Sequence, residues 1–389
     1  MRILFSAVGA YGHLIPLLPL AAAARDEGHQ VSVATAEPFH RMVAEAGFEP
    51  VAAGGTDREG VGQARAQGSA PASGAGGAAA HNPSALAFGS ILPRRAAADL
   101  RTAFSSAKPD LVVYETLNPG AAMAAALADV PAVCHGLGRL TNSPTWRAMC
   151  ELWSATAIEL GVDKAADDPV FFGNSYIDIC PPSLQPEHVD AAASVLSMRP
   201  EGWSQPSGVP AFLQERDRSR PLVYLTFGTV FGSSELFQQC VAELSRLPVD
   251  VLVATGPVPR AELAEGIPSN VVIEQWVSQS DVLPYVDLTV SHGGSGTVLG
   301  CLAEGVPHLM LPQGADQFSN AQAVSGIGAG RQILTADLEA DSIALNAAEL
   351  LKDSAARERA LEVAAEIKGM PTARDTAALL STLYVTQTR

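Results

Sequence analysis

Hydrophobic residues occur in short runs that alternate with segments of helical periodicity, beginning at the first residues. Ile3 to Ala7 is an apolar run that predicts a buried strand. Leu14 to Glu27 has helical periodicity and is followed by Gly28, which predicts a helix that ends there. Gln30 to Ala34 then predicts the next strand. Strands that alternate with helices in this way predict parallel βαβ units.

The same alternation continues to the end of the chain, with one interruption. Residues 180–183 and 199–208 are rich in proline and polar residues, which predicts a connector between two domains. We expect an N-terminal domain at 1–200, a linker at 201–216, a second domain at 217–370, and a C-terminal helix at 371–389 that crosses back to the first domain. Further strands are predicted at Leu111 to Tyr114, Ala132 to Cys134, Leu222 to Phe227, Asp250 to Ala254, Asp287 to Val290 and His308 to Leu311, and helices at Arg41 to Ala46, Gly120 to Leu127, Glu235 to Leu244, Val298 to Gly305, Phe318 to Ala323 and Asp375 to Val385.

One stretch does not fit the alternation. Residues 54–80 contain many Gly, Ala and Ser and few large apolar side chains, so burial offsets little of the entropy cost of ordering them. Two interpretations stay open for 54–90: a passive insertion, or a mobile lid over a binding site. If the stretch is a lid, an apolar ligand could be contacted by Leu86, Phe88, Ile91 and Leu92.

Composition limits the function classes. The chain has 389 residues, 47% of them hydrophobic, and a net charge of −16, which argues against nucleic-acid binding because that needs clustered Lys and Arg. No run of 18 apolar residues predicts a membrane span, and the N-terminus lacks signal-peptide features. The five cysteines are an odd number with wide spacing, which indicates neither a disulfide framework nor a zinc site. We therefore expect a cytoplasmic protein.

The segment Ser291 to Thr297 carries the strongest chemical signal. It contains three glycines between a predicted strand and a predicted helix, so a ligand can approach the backbone closely. The N–H groups at a helix start, together with the helix dipole, bind anions and most often phosphate. His292 and the hydroxyls of Ser295 and Thr297 add donors. We interpret this turn as a phosphate site rather than an ordinary glycine-rich turn.

These features occur in an ordered set of motifs. They are Gly12-His13-Leu14-Ile15-Pro16, residues 177–184, residues 225–229, Trp276-Val277-Ser278-Gln279, residues 292–297 and residues 314–321. In this order and spacing the chain resembles the family 1 glycosyltransferases of GT-B fold along essentially its whole length. It is most similar to the bacterial branch that glycosylates antibiotics such as enediynes and macrolides. The resemblance implies an α/β protein with two Rossmann-like domains that face each other across a cleft.

The resemblance also implies a nucleotide-sugar site in the second domain. Trp276 would stack on the base, the Val277 backbone would bond its edge, and Gln279 lies nearby. His292 and the amides of Gly294, Ser295, Gly296 and Thr297 would hold the diphosphate, with Thr229 reaching it from another loop. Asp316 and Gln317 would bind sugar hydroxyls. Many relatives have Pro where this chain has Ser278, so local rigidity there can differ.

His13 and Glu115 are the candidate catalytic residues. His13 follows the first strand, at the carboxyl edge where open α/β sheets bind ligands, and imidazole is suited to proton abstraction near neutral pH. The resemblance matches His13 to the family's base. Glu115 follows another strand and could accept from the His13 ring; relatives often have the shorter Asp. A solvated carboxylate at a strand end remains the alternative for Glu115.

The resulting hypothesis is an inverting hexosyltransferase that needs no metal and no other cofactor. It would move a deoxysugar from a dTDP- or UDP-sugar donor, with dTDP favoured by the resemblance, to a hydroxyl of a hydrophobic natural-product aglycone. The sequence contains no Asp-x-Asp motif, so nothing in it indicates a divalent metal on the diphosphate. The oligomeric state stays open, with a homodimer as one alternative.

Other functions remain as alternatives. A GT-B nucleotide-sugar epimerase or hydrolase would use the same donor site. A NAD-dependent oxidoreductase is suggested faintly by Gly9 to Gly12 with Glu37, although the glycine pattern is incomplete. A non-catalytic auxiliary partner of another transferase would bind the donor without turnover. His135 and the apolar residues Trp146, Met149, Trp153, Phe171 and Phe172 could line an acceptor pocket or could be core.

Overall fold

The computed structural model describes residues 1–68, 82–162, 168, 170–185, 192–203, 210–228, 234–259 and 266–385. The chain divides into two compact units, each built on a parallel sheet. Unit 1 comprises Met1–Ile179, Pro186–Arg199 and Pro371–Arg389. Unit 2 comprises Cys180–Gln185 and Pro200–Met370.

Unit 1 contains a seven-stranded sheet in which every neighbouring pair is parallel. The strand order is β3-β2-β1-β4-β5-β6-β7, so the order reverses between β1 and β4. Ligands of open α/β sheets bind beyond the carboxyl ends of the strands at such a point. The strands are β1 (Arg2–Ser6), β2 (Gln30–Thr35), β3 (Glu49–Ala52), β4 (Leu111–Glu115), β5 (Ala132–His135), β6 (Ser175–Asp178) and β7 (Val195–Ser197).

Helices and short turns connect these strands. 3₁₀ turns occur at Ile15–Leu17 and Glu37–Phe39, and a π-helical turn at Ala87–Ile91 joins two helices. The helices are α1 (Tyr11–Leu14), α2 (Leu18–Asp26), α3 (His40–Glu45), α4 (Asp57–Gly68), α5 (Pro83–Leu86), α6 (Leu92–Ser106), α7 (Pro119–Leu127) and α8 (Pro144–Leu160).

Unit 2 repeats this plan with a six-stranded parallel sheet of order β10-β9-β8-β11-β12-β13, reversing between β8 and β11. Two further 3₁₀ turns occur at Leu283–Tyr285 and Thr335–Asp337. The strands are β8 (Leu222–Thr226), β9 (Asp250–Ala254), β10 (Val271–Glu274), β11 (Leu288–Ser291), β12 (His308–Met310) and β13 (Gly330–Gln332), and the helices are α9 (Ala211–Glu215), α10 (Ser234–Leu244), α11 (Gln279–Val282), α12 (Ser295–Ala303), α13 (Gln317–Gly326), α14 (Ser342–Leu350) and α15 (Ser354–Gly369).

The chain returns to unit 1 after Met370 and ends in α16 (Ala373–Val385), which packs against α2. The Arg199 N–H donates to the Pro371 carbonyl at 2.8 Å, and His29 Nε2 lies 2.6 Å from Ser381 Oγ. Residues 180–185 belong to unit 2, whereas the sequence placed them in the first domain. Their apolar side chains Cys180 and Leu184 pack there with Val298 and Met310, which explains the difference.

Buried apolar runs account for both sheets. All five residues of β4, β8 and β9 are buried, as expected for parallel strands covered by helices on both faces. The predicted helix at 14–27 is interrupted by the 3₁₀ turn at Ile15–Leu17, where Pro16 lies. α12 starts at Ser295, three residues before its predicted start, so the polar residues of the glycine-rich turn form its first turn.

The stretch at 54–90 differs from its prediction. Residues 57–68 form α4, and residues 83–91 are helical, so much of it is regular structure. Gly60 and Ala64 of α4 are buried. Gly60 packs closely against Leu92 of α6, so α4 gains its buried contacts through small residues that allow a close approach. Residues 69–81, which include three of the nine glycines and two of the four serines of this stretch, lie outside the described part of the chain.

Gly120 of α7 allows a test of the close packing between α6 and α7. A Cβ at Gly120 would lie 2.1 Å from the Pro93 carbonyl oxygen of α6, so Gly120→Ala should force backbone atoms apart. We expect the free energy of unfolding to fall by about 1–3 kcal/mol. Chemical denaturation followed by circular dichroism measures this.

Gly62→Ala is the matched control, because Gly62 is also helical and a Cβ there meets nothing within 4 Å. Its effect should be neutral or stabilising by up to about 1 kcal/mol, since Ala orders more readily in a helix. Equal stability of the two variants would contradict the packing described for α6 and α7.

Candidate active site

His13 and Glu115 meet at the strand-order reversal of unit 1. His13 is in α1, directly after β1, and Glu115 is the last residue of β4. His13 Nδ1 lies 3.0 Å from Glu115 Oε1. The His13 side chain is 14% exposed and the Glu115 side chain 0% exposed, so the pair joins a buried acceptor to a partly accessible ring. The alternative of a solvated Glu115 carboxylate is therefore wrong.

Backbone groups hold the Glu115 carboxylate in place. The Val8 N–H donates to Oε1 at 3.2 Å, and the Leu117 N–H donates to Oε2 at 2.5 Å. A buried carboxylate is costly unless hydrogen bonds compensate it, and these two donors do so together with His13. Glu115 thus acts as a fixed acceptor that binds Nδ1 and orients the imidazole.

The other candidate acceptor residues of unit 1 lie in the core. His135 is completely buried at the end of β5, its Nδ1 is 2.6 Å from the Gly136 carbonyl oxygen, and burial lowers its pKa to about 4. Met149, Trp153, Phe171 and Phe172 are buried in one cluster, with Trp146 packed against it. The apolar stretch is therefore core packing.

The glycine-rich turn of unit 2 lies at the corresponding reversal, between β8 and β11. The His292 ring is enclosed by two glycines: a Cβ at Gly228 would lie 2.8 Å from His292 Nε2, and one at Gly294 2.5 Å from it. Gly228 also has a φ of +71°, which side-chain-bearing residues rarely adopt. Glycine is thus required on both sides of the imidazole.

His292 is buried, and this lowers its pKa to about 4 against the opposing effects of Asp316 and the Thr226 backbone. Its Nδ1 has no hydrogen-bond partner among the described residues. The ring nitrogen next to Gly228 and Gly294 is Nε2, so Nε2 faces the glycine-rich turn.

The first turn of α12 follows His292 closely in the chain and presents polar groups beside the same turn. Gly294 precedes the helix, and Ser295 to Thr297 form its first turn. Gly296 is exposed, and a Cβ at Gly296 would meet no atom within 4 Å. The first N–H groups of a helix lack intrahelical partners and attract anions. The turn therefore has the geometry of an anion site.

Asp316 occupies part of this helix end. Its Oδ2 accepts from the Ser295 N–H at 3.1 Å, from Ser295 Oγ at 2.5 Å and from Asn320 Nδ2 at 2.9 Å. Asn320 also donates to the Gly293 carbonyl at 3.0 Å. A carboxylate at a helix N-terminus is stabilising, and it takes the position that another anion would use.

The remaining predicted nucleotide residues lie around the same sheet edge. Trp276 is 54% exposed, Val277 is half-buried, and Gln279 Nε2 lies 3.3 Å from Thr297 Oγ1. Gln317 is buried and its Oε1 accepts from the Gly314 N–H at 2.9 Å, so this oxygen orders the turn before α13. Thr229 lies outside the described residues.

Ser278, at the position where the resemblance implies Pro in many relatives, caps the short helix α11. Its side chain accepts from the Asp281 N–H at 3.4 Å, and its backbone is extended. Ser is a preferred N-cap residue, so this position keeps a defined turn without the proline ring.

Sequence reasoning offered Phe88 only as a contact for an apolar ligand, and it missed two other groups that order these sites. Asn320 and the buried pair Ser291–His308 support the glycine-rich turn: Ser291 Oγ lies 2.6 Å from His308 Nε2 and accepts from the Gly293 N–H at 3.0 Å. Phe88 stacks on His13. The four-residue spacing of Asp316 and Asn320 was a usable signal for that pair, whereas the other contacts join distant parts of the chain.

The described residues contain neither a metal-binding cluster nor a membrane-spanning helix. They contain no group of three or more His, Cys, Asp or Glu side chains arranged to hold a metal ion. None of their helices combines the length and the apolar character needed to cross a bilayer.

Comparisons with known proteins point to one family. Residues 22–228 match the N-terminal domain, and residues 238–383 the C-terminal domain, of the family described as erythromycin biosynthesis protein CIII-like. The chain is 31% identical over 352 residues to an L-demethylnoviosyl transferase of Streptomyces niveus, covering 85% of this chain and 84% of that protein. It is 30% identical over 397 residues to an elloramycin glycosyltransferase of Streptomyces olivaceus, covering 99% and 98%.

Solved structures agree. A glycosyltransferase from Streptomyces nogalater matches with a TM-score of 0.80 and 28% identity, covering 99% of each chain. A Streptomyces sp. SF2575 glycosyltransferase complexed with thymidine diphosphate matches with a TM-score of 0.79 and 27% identity, covering 98% of this chain and 99% of that one. The two-domain GT-B glycosyltransferase fold expected from the sequence is therefore confirmed.

The buried imidazoles predict a loss of stability in acid. Burial lowers the pKa of His135 and His292 to about 4 and that of His308 to about 3. Their unfolded-state values are about 6.5, so the unfolded chain binds more protons as the pH falls below this value. The free energy of unfolding should therefore be largest above about pH 6.5 and should fall toward pH 4. Denaturant titrations across this range measure it.

His308→Gln tests one contribution, because Gln can still hydrogen-bond Ser291 but does not titrate. The pH dependence of the unfolding free energy should weaken by up to about one proton. An unchanged slope would contradict a buried, neutral His308.

Proposed function

The chain belongs to the erythromycin biosynthesis protein CIII-like family of glycosyltransferases, and from that premise we propose the reaction that it catalyses. It transfers a deoxysugar from a dTDP-sugar to a hydroxyl of a hydrophobic natural-product aglycone, with inversion at the anomeric carbon. The observation that carries this proposal is the His13–Glu115 pair at the strand-order reversal of unit 1.

His13 is the proposed base. Glu115 binds Nδ1, so Nε2 is the nitrogen that takes the proton of the acceptor hydroxyl. The deprotonating oxygen forms a bond to the anomeric carbon while the bond from that carbon to the diphosphate oxygen breaks. Attack from the face opposite the leaving group inverts the configuration. The buried Glu115 carboxylate stabilises the imidazolium that results.

Unit 2 is the proposed donor unit. Negative charge grows on the departing nucleoside diphosphate, and the first turn of α12 would stabilise it through the amides of Gly296 and Thr297. A diphosphate oxygen beside His292 Nε2, the ring nitrogen next to Gly228 and Gly294, would favour the protonated ring. Entry of the diphosphate would displace the Asp316 carboxylate from the helix end and release it for sugar hydroxyls.

The nucleotide and the setting rest on similarity. The similar Streptomyces sp. SF2575 glycosyltransferase was solved with thymidine diphosphate, which supports dTDP rather than UDP as the donor nucleotide. We propose that Trp276, whose side chain is exposed, stacks on the thymine. The helix end and His292 supply the charge stabilisation, so the reaction needs no metal and no other cofactor. We place it in the cytoplasm, where nucleotide sugars are made.

The base assignment is tested by His13→Ala. Turnover should fall by about 10²–10⁴-fold, because a general base contributes on this scale, while nucleotide affinity stays unchanged. Glu115→Gln should also lower turnover, but by a smaller factor. The variant keeps the His13 imidazole as a base and removes only the negative charge of its hydrogen-bond partner. Mass spectrometry of reactions with a panel of nucleotide sugars and aglycones measures turnover.

Circular dichroism must first show that both variants are folded, since Glu115 is buried. Wild-type turnover in His13→Ala would rule out the proposed base. Consumption of donor without any acceptor would instead favour a hydrolase or epimerase, and donor binding without turnover an auxiliary partner.

The donor site is tested by Trp276→Ala. Loss of one base–aromatic stack should weaken nucleoside diphosphate binding by roughly 1–3 kcal/mol in calorimetry. Trp276→Phe is the control, because it keeps an aromatic face and should retain most of the affinity. EDTA should change neither affinity nor rate.

Asp316→Asn provides a contrast in the same titration. It removes a negative charge from the helix end, so nucleoside diphosphate affinity should not fall, while turnover should. Equal affinity of Trp276→Ala and the wild type would show that the base binds elsewhere.

A further inference from the structure

Phe88 stacks on the imidazole ring of the candidate base. The ring centroids of His13 and Phe88 are 5.5 Å apart and their planes differ by 7°, which is an offset parallel stack. Glu115 binds the same imidazole through Nδ1 at 3.0 Å. A hydrogen bond to one ring nitrogen fixes the position of that nitrogen more strongly than it fixes the plane of the ring. Contact with a flat face on one side restricts the tilt of that plane.

The backbone around Phe88 is itself held firmly. Phe88 lies in the π-helical turn Ala87–Ile91, a rare geometry that often occurs at functional sites. The Trp153 indole N–H donates to the Phe88 carbonyl at 2.8 Å. A Cβ at Gly89 would lie 2.7 Å from Leu152 Cδ1 of α8, so this turn packs directly on that helix. Phe88 is therefore presented to His13 from a rigid support.

We propose that Phe88 is a positioning residue for the base, fixing the plane of the His13 ring while Glu115 fixes its nitrogen. This inference rests on the proposed function, because it requires His13 to be the base. The acceptor proton goes to Nε2 as the acceptor oxygen bonds to the anomeric carbon and the diphosphate leaves. Phe88 takes no part in that exchange of bonds.

Stacking also acts more strongly on the transition state than on the ground state. The imidazole gains positive charge as it takes the proton, and an aromatic face attracts a cation. An interaction that strengthens in the transition state raises turnover rather than substrate affinity. Phe88 should therefore affect kcat, whereas a residue that merely lined the acceptor site would affect the acceptor KM.

The test compares Phe88→Leu with Phe88→Tyr. Leu fills similar space but offers no aromatic face, so kcat should fall about 10-fold with the donor KM unchanged. Tyr keeps the face and should restore most of the rate. Across substituted phenols of graded acidity as acceptors, the loss in Phe88→Leu should shrink as the phenol becomes more acidic, because an acidic hydroxyl needs less help from a base.

Phe39→Leu is the matched control. Phe39 contacts Tyr11 of α1 edge-on, with ring centroids 5.1 Å apart, and it should leave kcat unchanged. In solution, proton NMR of the His13 ring should show a ring-current shift that disappears in Phe88→Leu and persists in Phe39→Leu. Absence of that shift in the wild type would overturn the proposed stack.

The outcomes separate this inference from the proposed function. If His13→Ala is impaired and Phe88→Leu is not, the base stands and the role of Phe88 is wrong. A loss of equal size for every phenol, or one confined to acceptor KM, also overturns it. If His13→Ala keeps full turnover, the proposed base itself has failed. When His13 is already Ala, Phe88→Leu should lower kcat no further. A further, additive loss of kcat would contradict the proposal that Phe88 acts by positioning His13.

Discussion

The hydrogen bond between His13 and the buried Glu115 carboxylate is the constraint on which the rest of unit 1 depends. A carboxylate with no exposed surface must be compensated. The Leu117 amide is local to Glu115, whereas the Val8 amide and His13 reach the carboxylate only if β1 and β4 are adjacent. The strand order makes them adjacent. The arrangement that makes Glu115 tolerable inside the protein is therefore the one that orients the imidazole.

Unit 2 builds its site around a buried imidazole, that of His292. His292 is enclosed by Gly228 after β8 and Gly294 after β11, two loops that adjoin because β8 and β11 are neighbours. Any side chain at either glycine would displace the ring. Asp316, Asn320 and the Ser291–His308 pair then order the turn that leads into α12. The anion site is thus assembled from three loops at one sheet edge.

Much of this could be read from the sequence. The apolar runs predicted most of the central strands to within a residue or two, because buried parallel strands are apolar on both faces. Edge strands such as β3 and β7 were missed, since they are partly exposed and carry polar residues. α4 was missed because its buried face is formed by Gly60 and Ala64, which resemble loop composition.

The sequence by itself determined the two-domain α/β organisation, the glycine-rich turn and the candidate base, because periodicity and motif spacing are local properties of the chain. Only the tertiary structure decided that Glu115 is buried, that Asp316 binds the start of α12, that the aromatic residues near 150 and 171 are core, and that Phe88 covers His13. Several of these contacts join residues far apart in the chain, 21 positions for Asp316–Ser295 and 107 positions for Val8–Glu115. Their partners are selected by how helices and loops pack on the sheet, and no local pattern encodes that choice.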